Sequence, residues 1–138
     1  MKNATLVLAM ALAMTGFANA QDTATAAKGP YSDVKLYLAY ANSAAFDVRL
    51  TKQAAASRAA VGRAPEGDPD AKLRAMNERD ATAFKAAMKQ AADKPALAEA
   101  LKAVRAAELT VFDKGTGAGE AEVASAIGKV EVELELVE

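Results

Sequence analysis

Apolar residues recur at helical spacing through most of this chain. Val34, Tyr37, Leu38, Ala41, Ala45, Val48, Ala55 and Ala59, flanked by Leu36, Tyr40 and Leu50, predict a helix over residues 32–62. Ser32 is the expected N-cap, Asp33 complements the helix dipole in the first turn, and Gly62 marks the stop. The stretch Arg63 to Pro69 reads as a loop, and Asp68-Pro69 as the start of a second helix over 69–92, with Leu73, Met76, Phe84, Ala87, Met88 and Ala91 on its buried side. Asp93-Lys94-Pro95 breaks that pattern, because the residue before a proline is pushed away from helical geometry. A third helix over 95–113 then carries Leu97, Leu101, Val104, Val111 and Phe112 on one side.

The last segment supports two patterns. Val123, Ile127, Val130, Leu134 and Val137 keep a helical alternation of fours and threes over 120–137, whereas VEVELEL at 130–136 alternates apolar and acidic residues as a half-buried strand does. Valine-rich chemistry, Gly128 and four late glutamates at the unfavourable end of a helix dipole favour the strand. The lack of a partner strand favours the helix, since an isolated strand is not stable, and the helix is the expectation here. The two patterns part at Val132, which lies off the helical stripe but on the strand face, and at Val137, for which the reverse holds.

Together these elements predict an all-α fold, a small antiparallel bundle of three or four helices over residues 32–138. Alanine, the strongest helix former, is abundant, and it lets helices approach closely while burying little area per contact. The core therefore depends on a few larger side chains.

The first twenty residues have a different pattern. Lys2 gives a short positive start, Thr5 to Phe17 an apolar run too short to span a bilayer comfortably, and Ala18-Asn19-Ala20 the small-x-small cleavage pattern of a signal peptide. Cleavage before Gln21 would deliver the protein to the periplasm or the medium, with no stable membrane anchor and with residues 21–31 as a disordered arm. The chain has 138 residues and a formal charge of −1, which loss of Lys2 makes one unit more negative. Neither a nucleic-acid footprint nor a polybasic membrane patch is indicated.

Candidate chemistry is narrow. With no His and no Cys, the usual triads, thiol redox chemistry, disulfides and most metal sites are excluded, as is haem held by an axial histidine. No cofactor and no metal site is expected. Met76 and Met88 are core filler, too far apart for a thioether copper site. KGTGAGE at 114–120 has G-x-G-x-G spacing and no G-K-[ST], so it reads as a helix C-cap followed by a flexible connector and not as a phosphate loop. The acidic C-terminal run lacks the spaced ligands of a calcium hand.

Four residues remain as weak ligand-binding candidates. Asp80 falls on the line joining Leu73, Met76, Phe84 and Met88, and Glu108 on the line joining Leu97, Leu101, Val104 and Val111. A carboxylate on an apolar stripe must be paired, hydrated or at an edge, because burying it alone costs several kcal/mol or raises its pKa. Arg79, Arg105 and Lys102 are the available neutralising groups, and Tyr37 and Tyr40 are the tyrosines best placed to line a pocket or a partner surface. Carboxylate-only catalysis needs a deep cleft that so short and alanine-rich a chain is poorly equipped to build. The expected function is therefore that of an exported, soluble, non-enzymatic protein acting through protein–protein contact as an adaptor, inhibitor or holdase-like factor. A periplasmic bundle binding a small molecule or ion is the alternative.

Overall fold

A computed structural model describes residues 29–138; the expected signal peptide and residues 21–28 of the arm lie outside that range. The described residues form four helices, α1 (Ser32–Ala60), α2 (Pro69–Gln90), α3 (Pro95–Lys114) and α4 (Gly117–Val137). α1 packs most extensively on α2 and α3 on α4, so the bundle is two helical hairpins. α1 also meets α3 and α4, whereas α2 meets α3 but not α4. The contacts between ends set the directions. Gln90 at the end of α2 reaches the start of α1, Lys52 of α1 lies over Gly115 between α3 and α4, and Glu138 returns to Lys35 at 2.7 Å.

Local chemistry places the helix ends. Asp68 caps α2 as its sequence predicts, its Oδ1 accepting from the Ala71 N–H at 3.1 Å with Pro69 in the first turn. α1 ends two residues before the expected position. Arg63 N–H donates to Arg58 O and Gly62 N–H to Ala59 O, a Schellman closure that needs the positive φ of 75° at Gly62. Ser32 is not the N-cap of α1. Tyr31 holds that position without a side-chain cap, and Gln90 Oε1 accepts from the N–H groups of Asp33 (2.8 Å) and Val34 (3.1 Å). The orphan donors of one helix are thus satisfied from the end of the next, which ties the two helices together. Tyr31, expected at the end of a disordered arm, is buried in the core.

The glycine-rich run makes a tight turn in place of a flexible connector. Gly115 closes α3 at φ 66°, and its N–H donates to Val111 O. Thr116 immediately caps α4, its Oγ1 accepting from the Gly119 N–H at 3.0 Å, so α4 begins at Gly117 and not at 120.

α4 is helical to Val137. Val123, Ala126, Val130 and Leu134 are buried and Val132 is exposed, as the helical stripe requires. Four residues buried along one face outweigh valine's strand preference and the glutamates at the dipole's negative end.

The core differs from expectation on two helices. On α2 the fully covered positions are Asp80, Ala83 and Ala87, with Ala91 just beyond, while Leu73, Met76, Phe84 and Met88 pack from the flanks and stay partly exposed. Alanine lets the α2 backbone approach α1, which leaves room for the larger side chains only at the edges of the contact. On α1 burial stops at Val48, and Ala55 and Ala59 are not part of the core. The reason is length, because α3 and α4 turn back at the level of Lys52 and the last turns of α1 have only α2 beside them.

Candidate functional site

All four candidate residues meet in one place. Tyr37 of α1, Asp80 of α2 and Glu108 of α3 have no exposed surface, and Tyr40 lies one helical turn from Tyr37. The Tyr37 hydroxyl donates to Glu108 Oε1 at 2.9 Å, and Arg105 Nη1 donates to the same oxygen at 2.8 Å. Arg105 Nη2 donates to Asn77 Oδ1 of α2 at 2.8 Å, so one guanidinium joins α3 to α2. Arg79 Nε donates to Asp80 Oδ1 at 2.8 Å, and its guanidinium sits 4.1 Å from the centre of the Tyr40 ring. The Phe84 ring meets Tyr37 edge to face, with 5.5 Å between centroids. Three helices therefore converge on a charged knot within an apolar core.

The two carboxyls lie within hydrogen-bonding reach of each other. Burial pushes the Asp80 carboxyl up to about 8, the neighbouring Glu108 pushes in the same direction, and Arg79 only partly opposes them. Burial and Glu108 also raise the Tyr37 hydroxyl well above its ordinary range. Asp80 Oδ2 and Glu108 Oε2 are both buried without a hydrogen-bond donor. A proton on Asp80 supplies the donor that this pair of carboxyls otherwise lacks, because a protonated carboxyl is a donor and an ionised one is not. The arrangement can thus hold a proton away from water. Acting on a substrate is another matter, since a general acid or base must come within reach of the atom it serves, and both carboxyls are sealed.

The sequence placed Arg79 and Arg105 correctly as neutralising groups. Lys102 points away and pairs with Glu99 at the surface, 2.9 Å apart. Asn77, three residues before Asp80, carried no signal of its own, because an asparagine near a helix surface is ordinary. Met76 and Met88 pack at the edge of the core. No cluster of three or more metal-ligating side chains occurs among the described residues, and no helix among them is long and apolar enough to cross a membrane.

A second feature lies outside the core. Phe46 and Leu50 of α1 are 46% and 44% exposed, and Val61 beyond the helix end is 71% exposed. Phe46, Leu50 and Ala54 fall on one ridge at i, i+4 spacing, opposite the buried face. Four bases and no acid occur from Arg49 to Arg63. Arg49 leans over the Phe46 ring at 5.4 Å and is bridged to Glu120. On α4, Val132 and Leu136 form another exposed i, i+4 pair, 55% and 74% exposed, set among Glu131, Glu133 and Glu135. Sequence periodicity treated Leu50 as a flank of the core. Nothing in the α1 pattern tells where its covering helices end.

The chain matches no known protein family, and no curated protein or solved structure is significantly similar to it.

Proposed function

We propose that this is an exported, non-enzymatic helical protein that acts by presenting the second half of α1 to another protein. The observation that carries this reading is the uncovered ridge Phe46–Leu50–Ala54, followed by Val61, on a helix whose buried residues end at Val48. Large apolar side chains aligned on one exposed face mark an interaction surface, in contrast to apolar residues scattered singly. The leader pattern in residues 1–20 supports export. A photo-crosslinking residue at position 50, compared with one at the exposed Glu99 of α3, tests the reading in the native compartment. Adducts specific to position 50 and lost on Phe46→Asp are expected. Equal labelling at both positions, or none, overturns the reading, and a native N-terminus at Met1 overturns export.

The alternative, a small-molecule or ion-binding bundle centred on Tyr37, Tyr40, Asp80 and Glu108, draws on the three buried polar atoms without partners, Arg79 Nη2, Asp80 Oδ2 and Glu108 Oε2. Native mass spectrometry of protein taken from its host tests it: a retained ligand mass lost on Glu108→Gln supports it, and a bare chain mass counts against it.

A further inference from the structure

The geometry points to a second copy of this chain as an occupant of the α1 ridge, docked through the Val132–Leu136 edge of α4. This rests on the reading of α1 as a docking helix and adds the chemistry of its partner. Three observations carry it.

The first is shape. Phe46 and Leu50 on α1, and Val132 and Leu136 on α4, are pairs at the same i, i+4 spacing, each rising about 6 Å along its helix. Ridges of this kind interdigitate when two helices pack. Both pairs are exposed, and among the described residues neither is covered by another helix.

The second is charge. At 100° per residue, Arg49 and Arg58 fall on opposite sides of the α1 ridge, and Glu135 and Glu133 on opposite sides of the α4 pair. Asp47 also borders the α1 ridge and Lys129 the α4 pair, so each flank carries both signs, and what differs between the two is the net charge, basic on α1 and acidic on α4. From Lys129 to Glu138 there are four acids and one base, against four bases and one acid from Phe46 to Arg63. Opposite net charge favours α1 against α4 over either helix against its own copy, although Arg49 is already bridged to Glu120 within the chain.

The third is placement. The Arg49–Glu120 and Lys35–Glu138 bridges set the direction of α4 along α1. They place Val132 and Leu136 toward the Ser32 end of the bundle, while the α1 ridge runs toward the opposite end. Two different surfaces, displaced along the bundle axis, make a head-to-tail contact that leaves one ridge free at each end and so extends into chains. A single helix pair buries little area, so the association is weak, reversible and salt-sensitive.

Sedimentation velocity of the purified full chain, from micromolar to near-millimolar concentration at low and high salt, tests the proposal. Wild type is expected to sediment faster with concentration and to return toward monomer in high salt. Leu50→Asp and Leu136→Asp each introduce a carboxylate at an already exposed position, and circular dichroism checks that both stay helical. Each is expected to weaken self-association roughly tenfold or more, the scale of losing one apolar contact. Mixed together, they are expected to form a dimer and nothing larger, because the first keeps an intact α4 edge and the second an intact α1 ridge. A monomer at every concentration overturns the proposal, as does loss of association in Leu50→Asp alone, or a mixture that stays monomeric. A monomer in which residues 1–28 crosslink to position 50 also overturns it, by assigning the ridge to the chain's own N-terminal segment. If self-association fails while position 50 still forms adducts of a different mass, the docking reading survives without this partner; if both fail, both fall.

Discussion

α1 carries two inversions of the usual inside-out arrangement, a few turns apart. Around Tyr37 charged groups lie inside the bundle; from Phe46 to Val61 apolar groups lie outside it. The first inversion is compensated among the described residues except at Arg79 Nη2, a buried donor without an acceptor. Arg105 and Tyr37 satisfy one oxygen of Glu108, Arg79 satisfies one of Asp80, and the raised Asp80 carboxyl holds a proton that can serve the pair. The second has no compensation among the described residues. A compensated inversion costs stability when any member is removed, whereas an uncompensated one costs almost nothing. The contrast therefore predicts where mutations hurt, and the same logic separates residues that serve the fold from residues left for a partner.

The largest effect is expected at Glu108. Glu108→Ala removes the acceptor of both Tyr37 and Arg105 and leaves a guanidinium in the core with only Asn77 opposite it. Breaking a buried pair from one side costs about 3–5 kcal/mol. Urea unfolding followed by circular dichroism measures it, and a loss below about 1 kcal/mol, the scale of a single hydrogen bond, contradicts the compensation.

A pH effect of similar scale is expected from Asp80. Its carboxyl is raised from an ordinary value of 3.8 to about 8, by burial first and by Glu108 second. The folded chain therefore holds this proton more tightly than the unfolded chain. The stabilisation from it is complete below about pH 4 and is lost as pH rises through about 8, a change on the order of a few kcal/mol. Asp80→Asn keeps the acceptor for Arg79 and supplies a permanent N–H donor toward Glu108 Oε2. Stability of this variant should be flatter between pH 5 and 8, about the range over which wild type declines. Equal pH profiles for the two proteins would place the proton elsewhere.

Much of this architecture was legible in advance for identifiable reasons. Asp68-Pro69 and Lys94-Pro95 are local signals whose meaning does not depend on the rest of the fold, and both mark helix starts as read. Asp80 and Glu108 stood out because a carboxylate on an apolar stripe violates the pattern around it. What sequence periodicity could not supply was distance between helices. Gln90 capping α1, Tyr37 meeting Glu108 and the end of burial at Val48 depend on how the helices lie beside one another. Arg105 was legible as a neighbour of Glu108 three residues away, yet its second bond to Asn77 was not. Gly117 to Gly119 misled because glycine signals a loop by propensity, and here a Thr116 cap outweighs it.

Tyr37→Phe sharpens the comparison at smaller scale. It removes one donor from Glu108 while Arg105 remains, and it keeps the ring against Phe84. A loss of about 1–2 kcal/mol is expected, because a buried hydrogen bond to a charged group is worth more than a neutral one. Combining it with Glu108→Ala should add little, since the hydroxyl has then already lost its acceptor. Full additivity in that double-mutant cycle would show that the two groups do not share a bond.

The smallest effect belongs to the uncompensated side. Val132 is 55% exposed on α4, two residues from Val130, which has no exposed surface. Val132→Asp adds a carboxylate that water can solvate, and it is expected to change monomer stability by less than about 0.5 kcal/mol, the usual range for surface substitutions. Val130→Asp puts the same group where nothing can pair with it, at a cost of several kcal/mol. Thermal melts of the two variants at low protein concentration separate packing from self-association, because only packing contributes when the chain is monomeric. Comparable damage from both would mean that the Val132 face is covered in the native protein, and the division of α4 into a face that serves the fold and a face left for a partner would fail with it.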